Sequence, residues 1–385
     1  MASRSIASPH LLTVATVMGA CVLTVAASTG ACTTAPPNLS GDGAPPSETA
    51  NVSSCTSTVD DPKRTAQAMQ NAAPGNTICF AGTGLADTDL TLTRSGTPAA
   101  PITLLGHGVP VRSVTVFGDN VVVDGFAVRG GTGLAVAGRA ITVRHNTVRE
   151  TTRNGISCDP CAGAAIESNT VDRADGTGIL VNGQDVTVRD NMVSGSIMRE
   201  MNDADGIRFF GRGHRITDNR IRDISMAGYP RPPHPDCFQT FDNSKPPTTD
   251  VVIARNTCEN VGQHCLIATA ETAGTHGEVG RSHSIRFVGN TCSVGASQAV
   301  LVRWFPDVEV SDNRISGPVF DRGVIYLDGS VNGAVLRNTF VGCYRQVEAD
   351  DSSRAGLRVE GNVSVRPGTS PAALAPAAAD VPCGR

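Results

Sequence analysis

Short runs of alternating apolar and polar residues recur along this chain, and most of them close on an asparagine. Ile141-Thr-Val-Arg-His-Asn146, Val186-Thr-Val-Arg-Asp-Asn191, Ile216-Thr-Asp-Asn219, Val252-Ile-Ala-Arg-Asn256, Ile285-Arg-Phe-Val-Gly-Asn290 and Val308-Glu-Val-Ser-Asp-Asn313 are the clearest, and Asn169, Asn338 and Asn362 close similar runs. A period of two predicts strands, and a fixed longer spacing predicts an array of repeated units. Each run is too short to bury its apolar face alone, so the units must stack as coils with strands about 4.8 Å apart. The asparagines then fall in one column, where each amide bonds to the coils above and below and satisfies groups that burial would otherwise orphan.

A second set of runs shares another register: Asn154-Gly-Ile-Ser-Cys158, Thr177-Gly-Ile-Leu-Val181, Asp205-Gly-Ile-Arg-Phe209, Asp236-Cys-Phe-Gln-Thr240 and His264-Cys-Leu-Ile-Ala268. Two strand families per coil predict an all-β solenoid, a parallel β-helix over residues 55–370, followed by a tail at 371–385. Residues 62–72 have the pattern of a short amphipathic helix with proline in its first turn, placed to cap the open apolar end of the stack.

Composition fits a chain with a large core: 385 residues, 40% hydrophobic, 41 Gly and a formal charge of -4. The 32 Lys and Arg against 36 Asp and Glu leave no basic surplus for a phosphate backbone, which sets nucleic acid aside. Arg4 and His10 precede an apolar run at 11–27 that ends in small residues, so residues 1–31 read as an export signal. Met18-Gly-Ala-Cys21 and Thr29-Gly-Ala-Cys32 resemble lipoprotein lipid-attachment sites, and residues 32–54, rich in Pro, Ser, Thr and Gly, read as a flexible linker. The expected product is a monomer, secreted or held at the cell surface by an N-terminal lipid, which would be its sole contact with the membrane.

Successive ladder asparagines are 23, 22, 28, 37, 34, 23, 25 and 24 residues apart from Asn146 onward, so chain is added only between Asn191 and Asn290. Long insertions cost ordering entropy and usually answer to function. Those at 197–204, 227–235, 242–250 and 270–284 are expected to wall a cleft. The second register puts Asp205, Asp236 and His264 in one column on three consecutive coils, with Asp203 alongside. Two carboxylates so close cannot both ionise freely, so one becomes a general acid and the other a base or nucleophile. Polar residues also simply suit the turn before this strand, as Asn154 and Thr177 do, but charge enters the column only where the insertions lengthen. His234, Gln239, Arg208 and Lys245 are candidate substrate contacts, and Phe210, Phe241 and Trp304 candidate stacking platforms for sugar rings.

These repeats resemble the pectate-lyase-like superfamily of right-handed parallel β-helix proteins, over about four-fifths of the chain. Asp203-Ala-Asp205-Gly206, Pro235-Asp236, Gln263-His264-Cys265 and Val302-Arg303-Trp304 follow the order of the active-site motifs of polygalacturonase-like glycoside hydrolases. The resemblance implies an exported enzyme that hydrolyses a polysaccharide, with Asp205 and Asp236 as the acid and base pair, His264 as a positioning or relay group and Arg303 as a substrate contact. It also leaves open a polysaccharide lyase, with Lys245, Arg208 or Arg303 as base and Ca²⁺ held by Asp203, Asp205, Asp236 and Asp242, or a non-catalytic glycan-binding surface protein. No other cofactor is expected, and the spacing of the histidines matches no zinc motif.

Twelve Cys in an exported chain point to disulfides. Setting Cys21 and Cys32 aside, register predicts Cys237–Cys265 and Cys258–Cys292, with a reduced ladder as the alternative, and Cys55–Cys79, Cys158–Cys161 and Cys343–Cys383 complete five pairs.

Overall fold

The computed structural model describes residues 54–201 and 203–367. The export signal, the lipid-attachment cysteines and the linker to residue 53 lie outside the described residues, as does the tail with Cys383.

From Ser57 to Val365 the named strands pair in parallel, each with its counterparts one coil before and one coil after. The chain is a parallel β-helix. Three strand families run along it rather than the expected two. One contains Thr142–Arg144, Ala165–Glu167 and Thr187–Arg189, and the second follows the asparagine corner as Thr147–Arg149, Thr170–Asp172 and Met192–Ser194. The third contains Ile156–Ala162, Thr177–Gln184 and Asp205–Arg212.

Inward residues at one register stack on one another. Val143, Ile166, Val188, Ile216 and Ile253 form one such column, all fully buried. Each side chain so buried contributes roughly 1.5–3 kcal/mol, and no coil could gather that contribution without its neighbours.

The asparagine ladder is continuous from Asn146 to Asn362. Asn219 Nδ2 donates to Asn256 Oδ1 at 3.0 Å and Asn256 Nδ2 to Asn290 Oδ1 at 3.0 Å, while each backbone N–H donates to the next amide oxygen, at 2.8 Å in both cases. The residue before each ladder asparagine turns the corner in the left-handed region, as His145, Ser168, Asp190, Asp218, Arg255, Asp312 and Arg337 do. That conformation costs about 1–2 kcal/mol at a non-glycine residue, which the saturated amide offsets. Gly289 and Gly361 hold the same corner at φ 67° and 65°.

The helix is Pro62–Gln70, with the Asp61 carboxylate accepting from Arg64 N–H and proline in the first turn. Its Met69 side chain joins the core cluster.

Four disulfides join described cysteines: Cys55–Cys79, Cys158–Cys161, Cys237–Cys258 and Cys265–Cys292. The first two are as predicted, and the last two replace the expected Cys237–Cys265 and Cys258–Cys292. Cys258 and Cys292 are indeed register partners. Register partners in a parallel sheet send their side chains the same way, however, and sulfurs that run side by side do not meet. Each bridge instead crosses the coil interior, joining the strand family of Asp236 to the one after the asparagine corner. Cys343 is also bonded.

Candidate active site

In the column that begins at Asn154, three side-chain oxygens each accept a backbone N–H from the coil that follows, while at Thr177 the Gly176 carbonyl accepts the N–H of Asp205 instead. Asn154 Oδ1 accepts from Thr177 at 3.0 Å, Asp205 Oδ1 from Asp236 at 2.9 Å and Asp236 Oδ1 from His264 at 2.9 Å. This is the architectural role that an asparagine fills equally well. What distinguishes the aspartates is their second oxygen.

Asp205 Oδ2 forms an ion pair with the Arg208 guanidinium, which also donates to Asp203 Oδ2 at 2.8 Å. Asp236 Oδ2 accepts from His234 Nδ1 and Gln239 Nε2, both at 3.1 Å, and Asp236 Oδ1 also meets His264 Nδ1 at 2.9 Å. The two imidazole rings lie 5.1 Å apart, one on each side of a single carboxylate.

Both carboxylates have no exposed surface, and their environments drive them in opposite directions. Burial pushes the Asp205 carboxyl well above the usual carboxylate range, against the pull of Arg208 and with the help of Asp236 and Asp203. Burial acts on Asp236 too, but the hydrogen bonds from His234 and His264 outweigh it and hold Asp236 below its ordinary value. The Asp236 hydrogen bond raises His234 to about 9, so that imidazole is a cation at neutral pH.

Because the expected acid and base pair is buried, the groups that reach solvent are those that cover it. His234 is 48% exposed, Asp203 19% and Arg208 17%. The His234 N–H donates to Asp203 Oδ1 at 2.7 Å, which ties insertion 227–235 to insertion 197–204 directly over the column. Asp203, Asp205, Arg208, His234, Asp236, Gln239 and His264 therefore form one cluster.

The remaining candidates lie elsewhere. Insertions 197–204 and 227–235 precede the strands that carry the column, whereas 242–250 and 270–284 follow strand ends, so the four do not wall one cleft. Phe210, expected to face a sugar, is fully buried: Phe241 packs edge-on against it with centroids 4.9 Å apart, and Lys245 lies over its ring at 5.1 Å. Trp304 carries the Arg303 guanidinium 3.8 Å from its ring centroid and packs closely on Gly274, while Arg303 is paired with Asp328. Both residues sit at the far end of their strand from the column. The four aspartates considered for Ca²⁺ do not converge, since the Asp242 carboxylate accepts the N–H groups of Thr272 and Ala273 in the short helix Glu271–Thr275. Donor atoms of His234, Asp236 and His264 lie within 4.8 Å of one another, and both Nδ1 atoms are engaged on Asp236.

One member was missed. Leu266 pairs with Val300, which places Gln298 in the column directly after His264, and Gln298 Nε2 meets His264 Nε2 at 2.7 Å. Carrying the register one coil further would have found it.

Parallel pairing throughout, a saturated asparagine ladder and a polar column flanked by insertions define the class as a parallel β-helix protein with a candidate site on one face. The family described as "right handed beta helix region" matches residues 107–228 and 132–370, and this chain belongs to it. Among solved structures, the PL6 family polysaccharide lyase from Pseudopedobacter saltans is similar at 11% identity, with 82% of this chain and 94% of that one covered and a TM-score of 0.52. A surface adhesin of Streptococcus pneumoniae is similar at 13% identity, covering 75% and 86%, with a TM-score of 0.50. At these identities the likeness is one of fold. No curated protein matches this chain.

Proposed function

We propose that this is an exported enzyme that hydrolyses glycosidic bonds of a polysaccharide, with the proton delivered by His234. The observation that carries the reading is the divergence within the column: Asp205 is driven toward its neutral form while Asp236, one coil away, stays ionised between two imidazoles. The ionised Asp236 in turn raises the half-exposed His234 to about 9, and a perturbed titratable group that reaches solvent beside a carboxylate is a candidate acid. Four disulfides among the described cysteines support an oxidising, extracytoplasmic setting.

In this reading Asp236 and His264 are positioning residues. The buried Asp236 carboxylate holds the His234 imidazolium by Nδ1, and the remaining ring N–H protonates the departing glycosidic oxygen. Asp203, the carboxylate that reaches solvent, takes the proton of the attacking water, and Arg208 orients it while sharing its charge with Asp205.

A lyase is the second reading. Arg208 and His234 bring two cations to this region, which suits an acidic sugar whose carboxylate must be neutralised before a proton is removed beside it. Incubation with a panel of polysaccharides separates the readings. New reducing ends without unsaturated sugars support hydrolysis, unsaturated ends support elimination, and binding without cleavage would leave a glycan-binding protein. Loss of His234 should lower turnover at least about 100-fold. Unchanged cleavage by His234→Ala would remove it from the mechanism.

A further inference from the structure

At the opposite ends of the strands from the column lies a groove of about 630 Å³, lined by Pro160, Pro246, Pro247 and Ala162 together with Arg139 and Arg212. Gly138, Cys161, Gly183 and Gly211 share one register along it. A Cβ at Gly183 or Gly211 would lie 1.9 Å from a carbonyl oxygen of the preceding coil, so close backbone stacking dictates glycine there. The consequence is a strip without protruding side chains.

The next register carries Arg139, Ala162, Gln184 and Arg212. Three coil steps of about 4.8 Å separate the two arginines, roughly 14 Å in all. Both are exposed, Arg212 donates to Gln184 Oε1 at 2.9 Å, and no acidic residue is among the described residues that line the groove. Flat apolar surface bordered by cations complements a ligand with apolar ring faces and negative charge.

The geometry points to a second carbohydrate site here, one that takes an acidic oligosaccharide with its rings on the glycine and proline surface and its carboxylates on Arg139 and Arg212. Pro246 and Pro247 belong to the insertion that carries Lys245 over Phe210, so this loop closes the groove end of the strands. As a remote subsite for the polymer cleaved beside His234, the groove rests on the function proposed above; as a binding site it stands without it.

The test is calorimetry of the full chain with a uronic-acid hexasaccharide and a neutral hexasaccharide of glucose as control. The acidic probe should bind and the neutral one should not. Combined Arg139→Ala and Arg212→Ala substitution should weaken binding at least tenfold, as should Ala162→Trp, which fills the groove, while His234→Ala should leave it unchanged. The arginine variant alters only exposed side chains and guards against misfolding of the tryptophan variant. Absence of binding, equal binding of the neutral probe, or binding lost in His234→Ala but kept in the arginine variant would overturn the groove assignment. The last result would leave the function proposed at His234 intact, whereas groove binding by a protein that cleaves no polysaccharide would sink that function and leave the groove.

Discussion

Replacing Asp236 by asparagine separates the two roles of the column, because it preserves shape and the backbone acceptor while removing charge. Asn154 shows that an amide oxygen accepts the N–H of the next coil at 3.0 Å, and the amide oxygen of Asp236→Asn would do the same for His264. Its amide NH₂, however, would face His234 Nδ1 and Gln239 Nε2, which are both donors to Asp236 Oδ2 at 3.1 Å. Hydrogen bonds to a charged group contribute roughly 1.5–3 kcal/mol each, and breaking a buried ion pair by removing one partner costs about 3–5 kcal/mol. Urea denaturation at pH 7 should therefore show Asp236→Asn to be less stable by about 3–5 kcal/mol. NMR titration of the same variant should show His234 falling from about 9 toward the ordinary value of about 6.5. Asp205→Asn is the control. Burial already favours the neutral form of Asp205, the amide oxygen still accepts from Asp236 N–H, and Arg208 keeps Asp203; the expected loss is about 1 kcal/mol. Equal losses from the two variants, or a His234 that still titrates near 9 in Asp236→Asn, would reduce the column to turn architecture and refute the acid and base assignment.

The His234 shift also sets a pH dependence. Its folded value of about 9 lies above the unfolded one, so the stability it lends is complete below the ordinary histidine pKa of about 6.5 and is lost as pH rises through about 9. Cleavage that uses its proton should fall over the same upper limb, and a turnover profile flat through pH 9 to 10 would contradict the assignment. Asn256→Ala would strand the N–H of Asn219 and take the amide donor from the carbonyl of Ile216, while Asn219 Nδ2 keeps the Val188 and Thr217 carbonyls and Asn290 Oδ1 keeps the backbone N–H of residue 256. At about 1–3 kcal/mol for each buried group left unpaired, a loss of about 2–4 kcal/mol is expected on denaturation. Peptide mapping without reduction should recover Cys237 linked to Cys258 and Cys265 linked to Cys292, and recovery of Cys237 with Cys265 would disprove the cross-coil pairing.

The solenoid was legible because its period is written twice, in apolar alternation and in the closing asparagine. The second strand family was not, since Thr147–Arg149 and Thr170–Asp172 are as short as the strands before the corner but end on no recurring asparagine that would mark them. Register identified which cysteines are neighbours but not which way their side chains point, and that direction decides the bridges. The same limit applies to Phe210. Alternation placed it outward correctly, but burial depends on Phe241 and Lys245, which an insertion brings from another coil.

The buried aspartates show most clearly how fold and chemistry share residues here. At this turn the N–H of the next coil takes a backbone carbonyl, as at Thr177, or a side-chain oxygen, which Asn154 supplies with no charge at all. Asp205 and Asp236 supply it with one oxygen and hold a second in reserve, fully buried. A buried carboxylate oxygen with no partner would unfold the coil rather than serve it, so each spare oxygen is met by donors from the insertions or the strand: Arg208 for Asp205, His234 and Gln239 for Asp236. Those partners are the groups, or their neighbours, that reach solvent. Removing the insertion at 227–235 should therefore remove His234 and destabilise the column together. A deletion that spared stability while abolishing cleavage would show that the second oxygens serve the reaction without being coupled to the fold.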